Sequence, residues 1–158
     1  MNYTPELQEK ITQLGLQKEN ILFLTIYNEF LHEMRAGTKN VEYRDLTDFY
    51  LKKIFEKDSE RNFKNPKPIT HLLLQGGYSA TSPRMLIECK GWVINGKSYP
   101  ADADFKSYDC YKNCINFILG NIEYDTVSFS VLQPNKQREQ EPVAKVEIMK
   151  PEYLKPIN

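Results

Sequence analysis

The chain has 158 residues, 41% of them apolar and 27% charged, and its 21 basic residues balance 21 acidic ones. That length suits one domain with a real core, and zero net charge argues against coating duplex nucleic acid by bulk phosphate neutralisation while leaving room for a local basic pocket. No apolar run approaches the ~18 residues of a membrane span, and the polar, mixed-charge N-terminus carries no secretory pattern, so no membrane partner and a cytoplasmic location are expected.

Thr4-Pro5-Glu6 predicts a helix start, with Thr as N-cap and Pro at the first helical position. Leu7, Ile11 and Leu14 share a face, and Gly15 ends the helix. Ile21 to Ile26 has the length and apolarity of a buried strand. Asn28 can cap a second helix running to Arg35, striped by Phe30, Leu31 and Met34 and stopped by Gly37. Val41 to Arg44 alternates like a half-buried strand, Val41 and Tyr43 facing one way and Glu42 and Arg44 the other. Asp45 or Thr47 can cap a third helix carrying Phe49, Leu51, Ile54 and Phe55.

Residues 57–68 are polar, contain Pro66 and Pro68, and read as a loop. Ile69 to Leu74 is a strand, and Gln75-Gly76-Gly77-Tyr78-Ser79 is a turn that brings backbone close to a neighbour. Met85 to Asn95 reads as a strand closed by the Asn95-Gly96 hairpin turn. Residues 97–109, with Pro100 and three aspartates, read as an exposed loop. Strands follow over Cys114 to Leu119, Ile122 to Tyr124, Thr126 to Leu132 and Val143 to Met149. The stretch 133–142 reads as a long hairpin loop or a locally disordered segment, and the tail after Lys150 as an irregular strap. Helices thus lie mostly in the first third and five or six strands follow, an α+β pattern with a largely antiparallel sheet, closed or half closed. Val41, Tyr43, Ile69, Leu73, Met85, Ile87, Phe117 and Leu119 are expected inside it.

The chemistry concentrates in 36–45, where Lys39, Glu42, Arg44 and Asp45 fall within seven residues of a glycine stop. A plainer reading stands beside this one. Glu42 and Arg44 could be a surface pair worth ~0–1 kcal/mol, and Lys39 a cation complementing the helix dipole. Cys89, Cys110 and Cys114 are an odd number without a secretory signal, which predicts free thiols. Only His32 and His71 could join them, so no metal site and no cofactor are expected. Tyr78 and Trp92 read as core packing or as stacking surfaces for a base. Arg84 reads as a solvated turn residue or as a further wall of the same cleft.

The string from Phe30 to Arg44, with its Gly37-Thr38-Lys39 turn followed by Glu42 and Arg44, resembles the signature of the ASCH domain family. Thr70 to Tyr78, Met85 to Trp92 and Phe117-Ile118-Leu119-Gly120-Asn121-Ile122 resemble later pieces in the right order, so the likeness spans roughly residues 20–132. It implies a PUA-like β-barrel of five to six mostly antiparallel strands with flanking helices, over residues 20–150. Residues 1–19 would be a helical extension and 151–158 a tail. It also implies an RNA or nucleotide-like ligand in a cleft lined by Lys39, Glu42 and Arg44, with Asp45 and Tyr78 as further binding residues.

One branch of that family consists of amidohydrolases acting on acetylated cytidine through a Lys, a Thr three residues later and a distant Glu. Lys39 matches the lysine, but Glu42 stands at the threonine position. Catalysis by Lys39 and Glu42 then needs Glu42 as general base on water, with Lys39 or Arg44 stabilising the oxyanion. Glu88 and Glu123 are candidates for the second carboxylate. Three readings follow: a binding module, a hydrolase of a modified (acetylated) nucleoside, and a protein-interaction adaptor. In the first two, Lys39, Glu42 and Arg44 project into one solvent-accessible cleft, and removing Arg44 leaves fold stability nearly unchanged.

Overall fold

The computed structural model describes residues 2–60 and 62–127. Helix α1 (Pro5–Gln13) opens where Leu7 N donates to the Thr4 side chain, and it buries Leu7 and Ile11. A short 3-10 turn leads into strand β1 (Ile21–Thr25), followed by α2 (Asn28–Arg35) and β2 (Val41–Asp45). Helix α3 (Asp48–Ile54) is capped by Thr47 rather than Asp45, since Tyr50 N donates to Thr47 Oγ1. Strands β3 (Phe55–Lys57), β4 (Phe63–Pro66), β5 (His71–Gln75), β6 (Arg84–Ile94), β7 (Lys97–Tyr99) and β8 (Cys114–Asp125) follow.

The main sheet has the order β1-β5-β6-β8-β2, with β7 added on β6, and it curls into a half-barrel. All its pairings are antiparallel except β1 with β5, which run parallel because the whole of α2, β2, α3 and the β3–β4 hairpin intervenes between them. The two ends of that order, β1 and β2, are the edges of the half-barrel. Arg44 on β2 reaches across and donates to Thr25 O on β1 at 2.6 Å.

The inner face packs Leu22, Leu24, Leu72, Leu74, Met85, Ile87, Trp92 and Phe117 with Phe30, Leu31 and Met34 of α2. Ile69 and Leu119 belong to this core as expected; Val41 and Tyr43 are buried too, but on the opposite pleat from Phe117, and Leu73 packs elsewhere. It packs with Leu86 under Leu7 and Ile11 of α1. Strand β5 is central and buried on both faces, so its successive leucines go to opposite layers.

Other differences have local causes. Residues 57–68 contain a small separate hairpin, β3 with β4, whose polar sequence lacks strand alternation and whose Pro66 sits at the strand end. The expected loop from 97 begins with β7, paired to β6 across the Asn95-Gly96 turn. Two expected strands are one bulged strand, β8, running through Gly120. A Cβ at Gly120 would overlap the Glu88 carboxylate, so glycine lets the neighbouring side chain lie against the bulge. Thr126 and Val127 are not in a strand; the rest of the expected 126–132 strand, the 133–142 loop, the 143–149 strand and the tail lie outside the described residues.

Candidate functional site

The charged cluster begins at the end of α2. Gly37 adopts a φ of 77°, open to glycine and costly for other residues, and Thr38 N and Lys39 N both return to Glu33 O. This turn delivers Lys39 to the start of β2. Two residues apart on β2, Glu42 and Arg44 then share one pleat face. Lys39 Nζ lies 3.2 Å from Glu42 Oε1, and Arg44 NH2 donates to Glu42 Oε2 at 2.7 Å. Arg44 also donates from NH2 to Thr25 O and from NH1 to the Tyr50 hydroxyl at 3.3 Å. Lys39 Nζ sits 4.6 Å from the Phe30 ring centre and 4.9 Å from that of Tyr43.

The structure brings Lys39, Glu42 and Arg44 together, as the sequence led us to expect, but not in an open cleft. They are 8%, 1% and 5% exposed. The expectation of a solvated pair fails because β2 is covered on both faces, Val41 through Arg44 all being buried. Burial by itself raises the Glu42 carboxyl, but Lys39 and Arg44 outweigh it and hold it below the ordinary carboxylate value. Burial likewise opposes the Arg44 charge, and Glu42 and Tyr50 more than restore it. Two cations therefore share one ionised carboxylate, and Arg44 Nε, like Trp92 Nε1, is a buried donor with no hydrogen-bond partner among the described residues.

Around this cluster the surface changes character. Among the described residues the exposed large apolar side chains are Tyr27, Phe49, Tyr78 and Ile122. The three aromatic ones collect at one end of the half-barrel. Tyr27 follows β1 and Tyr78 follows β5, and these parallel strands finish in register with Thr25 beside Gln75. A Cβ at Gly76 would overlap Asn28 Oδ1, so the glycine turn carrying Tyr78 lies directly against the start of α2. Phe49 meets Tyr50 edge to face at 5.0 Å, and Tyr50 bonds Arg44. A continuous run of touching groups thus links exposed Tyr27 to Phe30, Lys39, Glu42, Arg44, Tyr50 and exposed Phe49.

Other sequence candidates lie elsewhere. Asp45 falls on the opposite pleat from Glu42 and Arg44, beside Cys114, whose thiol is pushed up first by burial and then by Asp45. Glu88 pairs with His71 on the α1 face of the sheet and accepts from Asn121 N, while Glu123 also acts on His71. Neither carboxylate therefore approaches Glu42 as a second acid. Arg84 bonds Gln75 and Asn2 O on that same face. Trp92 is 2% exposed and packs with Phe55, Tyr99 and Phe117, which makes it core. All three cysteines are free.

One feature escaped the sequence reading. A cleft of about 610 Å³ lies between the β6–β7 hairpin and residues 103–112, lined by Val93, Ser98, Phe105, Tyr108, Asp109 and Tyr111 among others. Asn116, fully buried, clamps its wall by accepting from Tyr111 N and donating to Tyr111 O and Val93 O. The Tyr43 hydroxyl adds a bond to Asp109 O. Nothing in a run of polar loop residues signals that clamp, because its centre is a single Asn inside an apolar strand. This cleft lies over the outer row of Tyr43, Asn116 and Val93, on the pleat opposite Glu42 and Arg44.

No helix among the described residues is long and apolar enough to cross a membrane. Compared with protein-family models, curated proteins and solved structures, the chain finds no match in any of them.

Proposed function

We propose that this is a nucleotide-recognition domain of the ASCH type. A planar base stacks among Tyr27, Phe49 and Tyr78, and its phosphate meets Arg44 and Lys39. The observation that carries the reading is the coincidence of three exposed aromatics with a buried cluster in which two cations share one carboxylate and Arg44 Nε lacks an acceptor. An anionic ligand completes both the charge balance and the missing hydrogen bond. A stacking base suits sequence-tolerant aromatic surfaces.

The amidohydrolase reading is weaker. It asks Glu42 to take a proton from water, and a carboxylate held below its ordinary value by two cations is a poor base. The adaptor reading rests on the neutral net charge and the acidic 97–109 segment, which begins with β7.

The test is titration with the four nucleoside 5′-monophosphates and the corresponding nucleosides. Tyr78, 89% exposed, can be removed without touching the core. Tyr78→Ala should weaken the best monophosphate by about 1–3 kcal/mol, the usual worth of a stacked base. The nucleoside should bind more weakly than its monophosphate. Equal affinity for wild type and Tyr78→Ala, or no preference for the phosphorylated form, overturns the proposal.

A further inference from the structure

The outer cleft plays no part in the nucleotide site. One wall is the β6–β7 hairpin, and the other comes from the segment 100–113, which carries neither helix nor strand. Structureless connections longer than ~12 residues are uncommon in compact domains unless they are functional or disordered. This one is pinned along its length. Phe105 lies against Gly91, where a Cβ would come within 3.1 Å of the ring. Lys90 Nζ donates to the Tyr108 hydroxyl at 3.2 Å, the Tyr43 hydroxyl donates to Asp109 O, and Asn116 bonds both N and O of Tyr111. Asn113 N donates to Asn95 Oδ1 at 2.7 Å and closes the segment onto the hairpin turn. The wall is therefore built before a ligand arrives, which lowers the ordering cost of binding.

Two kinds of group line this cleft. Phe105, Tyr108 and Tyr111 are half-buried rings. Phe105 and Tyr108 meet edge to face at 5.9 Å, and Tyr111 rests on Tyr43 at 4.6 Å. Asp104, Lys106, Asp109 and Lys112 are exposed charges, two of each sign. Asp104 accepts from Lys106 N, but the ion pairs among the described residues all lie elsewhere. Carboxylates and ammoniums thus line one cleft without neutralising each other. Its volume, about 610 Å³, falls in the range of ~300–1,000 Å³ that holds a small organic ligand. A phosphate ester there would set its charge against Asp104 and Asp109, and a simple cation would meet Lys106 and Lys112. A zwitterion with an apolar body satisfies both signs at once, and its ammonium is also attracted to a ring face. The Lys90 ammonium, 5.9 Å from the Tyr108 ring centre, shows a cation held at that ring.

We infer that the outer cleft binds a small zwitterion with an aromatic or apolar side chain, of the class of a free amino acid or a dipeptide. Its ammonium meets Asp109 and the Tyr108 ring, its carboxylate meets Lys106 and Lys112, and its side chain lies along Phe105 and Tyr111. This site is on the pleat opposite Glu42 and Arg44 and does not depend on the nucleotide reading. Amino acid and dipeptide share the two charged ends and differ in the distance between them.

NMR titration of the full chain with L-phenylalanine and with alanyl-phenylalanine tests this. At least one should bind saturably at millimolar concentration, shifting ring protons of Phe105, Tyr108 and Tyr111 and leaving those of Tyr27, Phe49 and Tyr78 in place. Whichever binds more tightly identifies the source and supports the inference. Acetylating the amine of that ligand, or amidating its carboxyl, should weaken it about fivefold in each case, the upper worth of an exposed ion pair. Asp109→Asn should weaken the free ligand and make binding indifferent to acetylation. Lys106→Gln/Lys112→Gln should weaken it and make binding indifferent to amidation, so each variant is matched to one end of the ligand. Both variants should melt as wild type does, because the three side chains are exposed. Binding of neither ligand overturns the inference. So does binding that ignores both blocked ends, binding unchanged in both variants, or shifts confined to Tyr27, Phe49 and Tyr78.

Discussion

Replacing Glu42 by Gln keeps the shape of the side chain and removes the one negative charge between Lys39 and Arg44. Both cations are at most 8% exposed, so bulk water replaces the carboxylate only poorly. Arg44 would keep Thr25 O and the Tyr50 hydroxyl, and Lys39 the rings of Phe30 and Tyr43. Breaking a buried pair by deleting one partner costs about 3–5 kcal/mol, against ~0–1 kcal/mol for an exposed pair. That loss is a large part of the ~5–15 kcal/mol total of an ordinary domain. It corresponds to a fall in melting temperature of roughly 6–20 °C for a chain of this size. Urea denaturation of wild type and Glu42→Gln, at low and high salt, measures it. The loss should hardly respond to salt, because a closed pair is poorly screened. A second variant, Lys39→Met/Glu42→Leu/Arg44→Met, should recover much of the stability, since well-packed apolar groups often replace a buried ion cluster without penalty. A loss below about 1 kcal/mol for Glu42→Gln, or one abolished by salt, would refute the buried cluster.

Three further outcomes follow from the same geometry. Asn116→Leu should cost about 1–3 kcal/mol by removing its bonds to Tyr111 N, Tyr111 O and Val93 O, and limited proteolysis should then cut within 100–112 well before the rest; unchanged protection contradicts the clamp. Burial pushes the Cys89 thiol up to about 12, so iodoacetamide at pH 8 should label half-buried Cys110 and spare Cys89, as read by peptide mass spectrometry; prompt labelling of Cys89 in the folded protein contradicts its placement. Stability should decline on acidification in two windows. His71 is lowered below 6.5 first by burial, with Glu123 and Glu88 opposing, so its contribution is present above 6.5 and is lost as pH falls through its folded value. Glu42 is lowered below 4.5, so its contribution is present above 4.5 and is lost below it. Urea midpoints from pH 8 to pH 3.5 should show the first decline vanish in His71→Gln; its persistence contradicts the assignment.

Much of the fold was written in local signals. Thr4-Pro5, Thr47, Gly37 and Asn95-Gly96 each act through backbone geometry within a few residues, and each sits where its chemistry demands. What escaped was set at longer range. The parallel pairing of β1 with β5 depends on what intervenes between them, and the burial of Leu73 on the α1 side depends on a helix some sixty residues earlier. The β3–β4 hairpin has no alternation to betray it.

The same division holds at the site. The spacing of Lys39, Glu42 and Arg44 predicts that they meet, because a glycine turn and one strand fix it. Their depth does not follow, since the residues that cover them come from α2, β1 and α3. Tyr78 was legible as a candidate through its glycine turn. Phe49 reads only as a helix residue and Tyr27 carries no signal of its own, because their common end of the sheet appears once β1 and β5 are in register.

The most direct test of the nucleotide site is the Arg44 Nε–Hε signal in a nitrogen-15 NMR titration with nucleoside 5′-monophosphates. Among the described residues that buried donor has no hydrogen-bond partner. It should shift strongly and saturably as a phosphate arrives, together with ring protons of Tyr27, Phe49 and Tyr78. A titration that leaves Arg44 unmoved while shifting Tyr108 and Tyr111 would instead seat the ligand in the outer cleft, and would contradict the site assigned to this chain.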